Sequence, residues 1–116
     1  MEDVNKLTRG LKKIKSVRAA ILFGSRARGK FRNDSDIDVC VITDREDDTA
    51  LELSSEKYDI SLFYKIPLQV RYRVFRDGKV LFNRDDKLFS KLKFWTIKMY
   101  LDEKCWRDRF TQKVLA

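Results

Sequence analysis

The chain of 116 residues has no histidine, one proline, four glycines and two cysteines. Each shortage removes a class of chemistry. Without histidine, Ser-His-Asp and Cys-His nucleophilic catalysis are excluded, and so are the common His-containing zinc sites. Cys40 and Cys105 lie far apart in sequence and form neither a disulfide framework nor a paired-thiol metal site. Any metal must then be held by oxygen, which points to magnesium or manganese. The apolar stretches are strand-sized, so no transmembrane helix and no membrane partner are expected. Met1-Glu2-Asp3-Val4-Asn5-Lys6 lacks the apolar core of a secretion signal, and cytoplasmic residence is the expectation. The length suits one domain, 1–116, with a single modest core.

Charge, in contrast, is abundant. Charged residues make up 38% of the chain and the formal net charge is +8, which favours acidic partners: a nucleotide, a nucleic acid or an acidic protein. The negative charge is nevertheless local, gathered in Asp34, Asp36 and Asp38 and again in 44–48.

The hydrophobic pattern predicts a helix over 1–15, with Val4, Leu7, Leu11 and Ile14 at helical spacing and a basic opposite face that reads as solvated surface. Catalytic strands follow in 17–66. Val17 to Phe23 is a nearly continuous apolar run, as in a strand covered on both sides. Asp36 to Thr43 alternates, placing Asp36, Asp38, Cys40 and Ile42 on one face and Ile37, Val39 and Val41 on the other. Lys57 to Ile66 reads as a third strand that carries Asp59 among strong strand formers. Helices and a short edge strand are expected in 67–116. Pro67 starts a helix that Gly78 ends, Lys79 to Phe82 forms the edge strand, and Asn83 or Asp85 caps a long final helix. Leu88, Leu92, Trp95, Met99 and Trp106 form its apolar stripe. Trp95 is expected to complete the core, while Phe89, Phe94, Trp106 and Phe110 are candidates for a partner contact.

The run from Gly24 to Asp38 carries the chemistry. Gly24-Ser25 follows a strand and opens a short helical turn, where backbone N–H groups and the serine hydroxyl can hold phosphate oxygens. Arg26 and Arg28 add positive charge beside it, with Arg28 the better placed for a phosphate or structural contact. After ten intervening residues, 26–35, Asp36-x-Asp38 opens the next strand. Carboxylates two apart on a strand sit about 6.5–7 Å apart at the backbone, close enough to converge on one or two ions. Asp59 offers a third ligand, or equally an ion-pair partner for a lysine or arginine. Magnesium takes few carboxylates and completes its shell with phosphate oxygens and water, which suits this supply and suggests chemistry on a nucleoside triphosphate.

Gly24-Ser25 and Asp36-x-Asp38 at this spacing resemble the signature of the DNA polymerase beta-like nucleotidyltransferase superfamily. The fuller form, Gly-Ser-x-Ala-Arg-Gly followed by Ser-Asp-x-Asp, is similar to its smallest branch, the minimal nucleotidyltransferases (MNT). Asp59 on a strand and 78–82 ahead of a terminal helix extend the likeness over nearly the whole chain. The resemblance implies an α/β (α+β) fold with a small mixed sheet of three to four strands flanked by helices. It also implies two magnesium ions (manganese as a substitute) and transfer of AMP from ATP, or of another NMP from its NTP, to a hydroxyl. Asp36, Asp38 and Asp59 would be the catalytic and metal-binding residues, and Gly24, Ser25, Arg26 and Arg28 would bind the nucleotide. Many MNT proteins are antitoxins that adenylylate a HEPN-domain ribonuclease, so a HEPN partner is implied, with self-association a further option. The segment between the second and third strands is shorter than usual for the family, and its helix there is expected to be lost. Two other readings stay open: a non-catalytic module that neutralises a partner by covering it, and a nucleic-acid end modifier, which normally needs additional gripping domains.

Overall fold

The computed structural model describes residues 2–24 and 37–115, with side chains over 4–24 and 37–108. Four strands form one sheet, β1 (Val17–Phe23), β2 (Ile37–Thr43), β3 (Tyr58–Leu62) and β4 (Lys79–Asn83), in the order β3-β2-β1-β4. β1 is antiparallel to both β2 and β4, whereas β2 and β3 run parallel. The helices are α1 (Glu2–Lys12), α2 (Leu68–Asp77) and α3 (Asp86–Leu115). This is the mixed α+β sheet expected.

The alternation in β2 divides the core into two layers. Ile37, Val39 and Val41 pack with Val4, Leu7 and Leu11 of α1, an aliphatic layer. Cys40 and Ile42 face the other way, against Phe63, Val74 of α2, and Leu88, Phe89 and Leu92 of α3. Complete burial of an aliphatic side chain of this size contributes about 1.5–3 kcal/mol, so a one-residue slip of β2 would forfeit both layers at once. The parallel β2–β3 pair needs a crossover, and 44–57 supplies it. A 3₁₀ turn, Thr49–Leu53, stands where the family helix is expected to be lost, and it buries Ala50 against the α1 layer.

Three expectations need correction. The first helix ends at Lys12, not Lys15, because Lys13 and Ile14 close tighter turns onto Gly10 and Leu11 (N···O 3.3 and 3.1 Å). β3 stops at Leu62, and Phe63–Lys65 coil into a 3₁₀ turn. Its freed carbonyls accept from Arg71: Nε reaches the Phe63 oxygen at 3.0 Å and Nη2 the Tyr64 oxygen at 2.8 Å. Trp95 is not core. It is 48% exposed, because the line of α3 that meets the domain runs through Leu88, Phe89, Leu92, Thr96 and Tyr100.

Two polar devices fix the frame. Asp85 caps α3, its Oδ1 accepting from the Leu88 N–H at 3.1 Å, while Asn83 Oδ1 accepts from the Asp85 N–H at 3.1 Å. Arg84 donates to the carbonyls of Val17, Lys12 and Ile14 (2.8, 2.9 and 2.5 Å), tying the α1–β1 connection to the start of α3. Gly78 does end α2, as expected, though with an ordinary φ of −72°. A Cβ there would run into the Val74 carbonyl and Ile21 Cγ2, so glycine is needed for close approach.

Candidate functional site

The parallel register of β2 and β3 sets Asp38 directly beside Asp59, and the antiparallel register of β1 sets Phe23 on the other side of Asp38. Register partners on adjacent strands point to the same face, with backbones about 4.8 Å apart. Two carboxylates twenty-one positions apart in sequence are thus brought side by side on the α2/α3 face. Asp38 lies on an interior strand and is half-buried, whereas Asp59 lies on the edge strand and is exposed. Among the described residues Asp59 has neither a hydrogen-bond nor an ion-pair partner.

Gly24 completes this end of the sheet. It follows Phe23 with φ +81°, a backbone conformation that only glycine adopts without strain. A Cβ built there would collide with Asp38 Oδ2 and lie 3.2 Å from its Cγ. The turn therefore passes directly against the Asp38 carboxylate, and only a residue without a side chain fits there. Ser25, Arg26, Arg28 and Asp36, the remaining expected site residues, lie outside the described residues.

One step further along the same face, Cys40 pairs with Ser61. Burial pushes the Cys40 thiol up to about 12, against a smaller opposing pull from Arg71. It is therefore a neutral core group, neither thiolate nucleophile nor thiolate ligand. The face changes within two residues from paired carboxylates to a sealed apolar core.

These residues fit a divalent cation. The donors are hard oxygens, and Gly24 keeps a Cβ away from one of them. Among the described residues no group of three or more His, Cys, Asp or Glu gathers to hold a metal, and the carboxylates brought together here are the two of Asp38 and Asp59. Asp59, offered by the sequence as a third ligand or an ion-pair partner, is set beside Asp38 by the β2–β3 register. One feature escaped the sequence reading. The basic face of α1, read as solvated surface, lines a cleft together with Tyr58. No helix among the described residues is long and apolar enough to cross a membrane.

The arrangement has close parallels among known proteins. The family described as polymerase beta nucleotidyltransferase matches residues 5–87. A Methanocaldococcus jannaschii protein assigned as a protein adenylyltransferase is 33% identical over 92 residues, covering 76% of this chain and 68% of the relative. Two solved structures share the fold. One is a toxin–antitoxin with AMP-PNP (24% identity, TM-score 0.71, covering 99% of this chain and 98% of the other). The second is a tri-AMPylated Shewanella oneidensis HEPN toxin in complex with MNT antitoxin (20% identity, TM-score 0.65, covering 99% and 95%). By the extent of the family match and the identity to the archaeal relative, the chain belongs to the polymerase beta nucleotidyltransferase family and is an enzyme of that class.

Proposed function

We propose that the protein is a magnesium-dependent protein adenylyltransferase that transfers AMP from ATP to a hydroxyl on a HEPN-type toxin partner, and so acts as an antitoxin. The observation that carries this reading is the juxtaposition of Asp38 and Asp59 beneath the Gly24 turn. The adenylyltransferase assignment of the archaeal relative supports the transferred group, and the toxin–antitoxin structures that share the fold support the partner.

Each residue has a distinct task in this reading. Gly24 and Ser25 receive the phosphate chain at the end of β1, and Arg26 and Arg28 offset its charge. Asp36 and Asp38 would hold the cation on the donor triphosphate, and Asp59 would complete the one beside the acceptor hydroxyl. Magnesium, when bound, neutralises phosphate charge and lowers the pKa of the acceptor hydroxyl. The acceptor oxygen attacks the α-phosphorus as the bond to the β-phosphate bridging oxygen breaks, and pyrophosphate leaves with that electron pair. Positioning and charge neutralisation suffice, which explains how a chain without histidine performs the reaction. Asp59 lies on an edge strand and is exposed, so a protein acceptor can approach from that side. Phe94 and Trp95, in edge-to-face contact and 59% and 48% exposed on α3, give a partner an apolar foothold.

The test is to incubate the protein with α-labelled ATP, magnesium and either a HEPN-domain ribonuclease or generic RNA. Label on the partner protein, lost in Asp36→Asn combined with Asp38→Asn, is the expected result. Toxin inhibition that persists in that double variant, with no transfer to anything, would establish the binding-only alternative instead. Labelled RNA would assign the protein to nucleic-acid end modification.

A further inference from the structure

A cavity of about 510 Å³ opens on the α1 side of the sheet, between α1, the 3₁₀ turn at Thr49–Leu53 and the first residue of β3. Small-molecule sites usually span about 300–1,000 Å³, and this volume lies within that range. Lys6, Arg9 and Lys13 line one wall. Their spacing of three and four places Lys6 and Arg9 on one face of α1, with Lys13 following in the turn just past its end. Gly10 lies on the same face, and a Cβ there would come within 3.3 Å of Leu53 Cδ1, so the missing side chain lets the 3₁₀ turn close the floor. Leu53 and Tyr58 make the opposite wall apolar and aromatic.

The charge balance of this cleft is one-sided. Its described lining contains no Asp or Glu, and none of the three cations has an ion pair among the described residues. Attraction to the helix C-terminus explains Arg9, which sits in the last turn of α1. It does not explain Lys6, further from that end, nor the gathering of three mutually repelling cations around one cavity. An anion offsets that repulsion, and the apolar wall calls for a flat apolar group attached to the anion. A bare phosphate would leave Tyr58 and Leu53 uncovered.

We propose that this cleft binds a nucleoside phosphate, free or as a unit of single-stranded RNA, with phosphates on Lys6, Arg9 and Lys13 and the base against Tyr58 and Leu53. Tyr58 and Asp59 are consecutive on β3, so their side chains point to opposite faces. The cleft is therefore separated from the carboxylate pair by the sheet itself, and it stands independently of the transferase reading.

The test measures binding of a short labelled single-stranded RNA, of ATP and of tripolyphosphate to the full chain. EDTA is present to silence metal-dependent nucleotide binding. Lys6→Ala with Arg9→Ala and Lys13→Ala is compared with Lys87→Ala, Lys91→Ala and Lys93→Ala, which removes equal charge from the exposed surface of α3. The cleft triple variant weakens RNA and ATP at least about tenfold. It also lowers the slope of log affinity against log salt for RNA by about 2, as three phosphate contacts on a single strand require. Tyr58→Leu, which retains an apolar side chain in the core layer, weakens RNA and ATP about fivefold or more and leaves tripolyphosphate unchanged. Tighter RNA than ATP binding assigns the strand as the source, and equal binding assigns the free nucleotide. Equal losses in both triple variants, unaltered binding in the cleft triple, or a Tyr58→Leu effect on tripolyphosphate as large as that on ATP would overturn the proposal.

Discussion

Carboxylates stand at the N-terminal end of β2 and in the crossover after its C-terminal end, and the two groups serve opposite purposes. In the crossover, Asp47 is fully engaged. The Ser16 hydroxyl donates to its Oδ2 at 2.5 Å, and the Thr49 N–H and hydroxyl donate to Oδ1 at 2.9 and 2.5 Å. Those bonds hold its carboxyl down at about 2, the Ser16 hydroxyl contributing most. Asp44 is likewise held below the ordinary carboxylate range, chiefly by its bond from Arg45. At the N-terminal end, Asp38 stands beside a second carboxylate, Asp59, that has no partner among the described residues. Acidic residues near a strand end are thus uninformative until their partners are known. One group closes a crossover. Its counterpart sets two carboxylates side by side, the one on the edge strand exposed.

That contrast can be broken by substitution, and the largest effect is expected at the facing pair. Asp38→Asn lowers label transfer from ATP by at least about 100-fold, since even changes to groups supporting a metal ligand cost about 10–100-fold. Asp47→Asn leaves transfer at the wild-type level. A second substitution sharpens the role of the turn. Gly24→Ala at φ +81° introduces about 1–2 kcal/mol of backbone strain and drives a methyl group onto Asp38 Oδ2. Transfer falls about 10–100-fold, as displacement of a reacting group by about an ångström does, and Tm falls by several degrees.

The structural end responds to pH instead. Asp47 titrates lower in the folded protein than its ordinary 3.8. Its contribution to stability is therefore complete above about pH 4 and is lost as pH falls through about 2. Asp47→Asn lowers Tm at neutral pH. Thermal melts from pH 7 down to pH 2 should show the wild type and this variant converging. A constant gap across that range would remove the bonds to Ser16 and Thr49 as the source.

Much of this fold was legible in the sequence because it rests on local patterns. Ile37, Val39 and Val41 alternate with Asp38 and Cys40, so the layer assignment of β2 follows from period two. Leu7 and Leu11 of α1 and the Asp85 cap of α3 follow similarly from spacing and chemistry. What escaped depends on contacts between distant residues. β3 ends early because Arg71, eight residues on from Phe63, satisfies carbonyls that a longer strand would have paired. Trp95 fits the stripe of α3, but burial follows the line of α3 that meets α2 and the sheet, through Leu92, Thr96 and Tyr100. Asp59 was recognisable as an anomalous carboxylate, yet its place beside Asp38 is a matter of parallel register. The α1 cations looked like solvated surface because the opposing wall, Leu53 and Tyr58, comes from more than forty positions away.

The central claim is that Asp38 and Asp59 act as one cation-holding pair while Asp47 does not. It is tested most directly by the rise in Tm that magnesium and a non-hydrolysable ATP analogue produce in the wild type, Asp38→Asn, Asp59→Asn and Asp47→Asn. At about 100 times Kd, ligand binding stabilises the folded state by about 2.7 kcal/mol, which a melt resolves easily. The account predicts this rise in the wild type and Asp47→Asn and its loss in both Asp38→Asn and Asp59→Asn. A rise that survives in those two variants, or one that disappears only with Asp47→Asn, would contradict it.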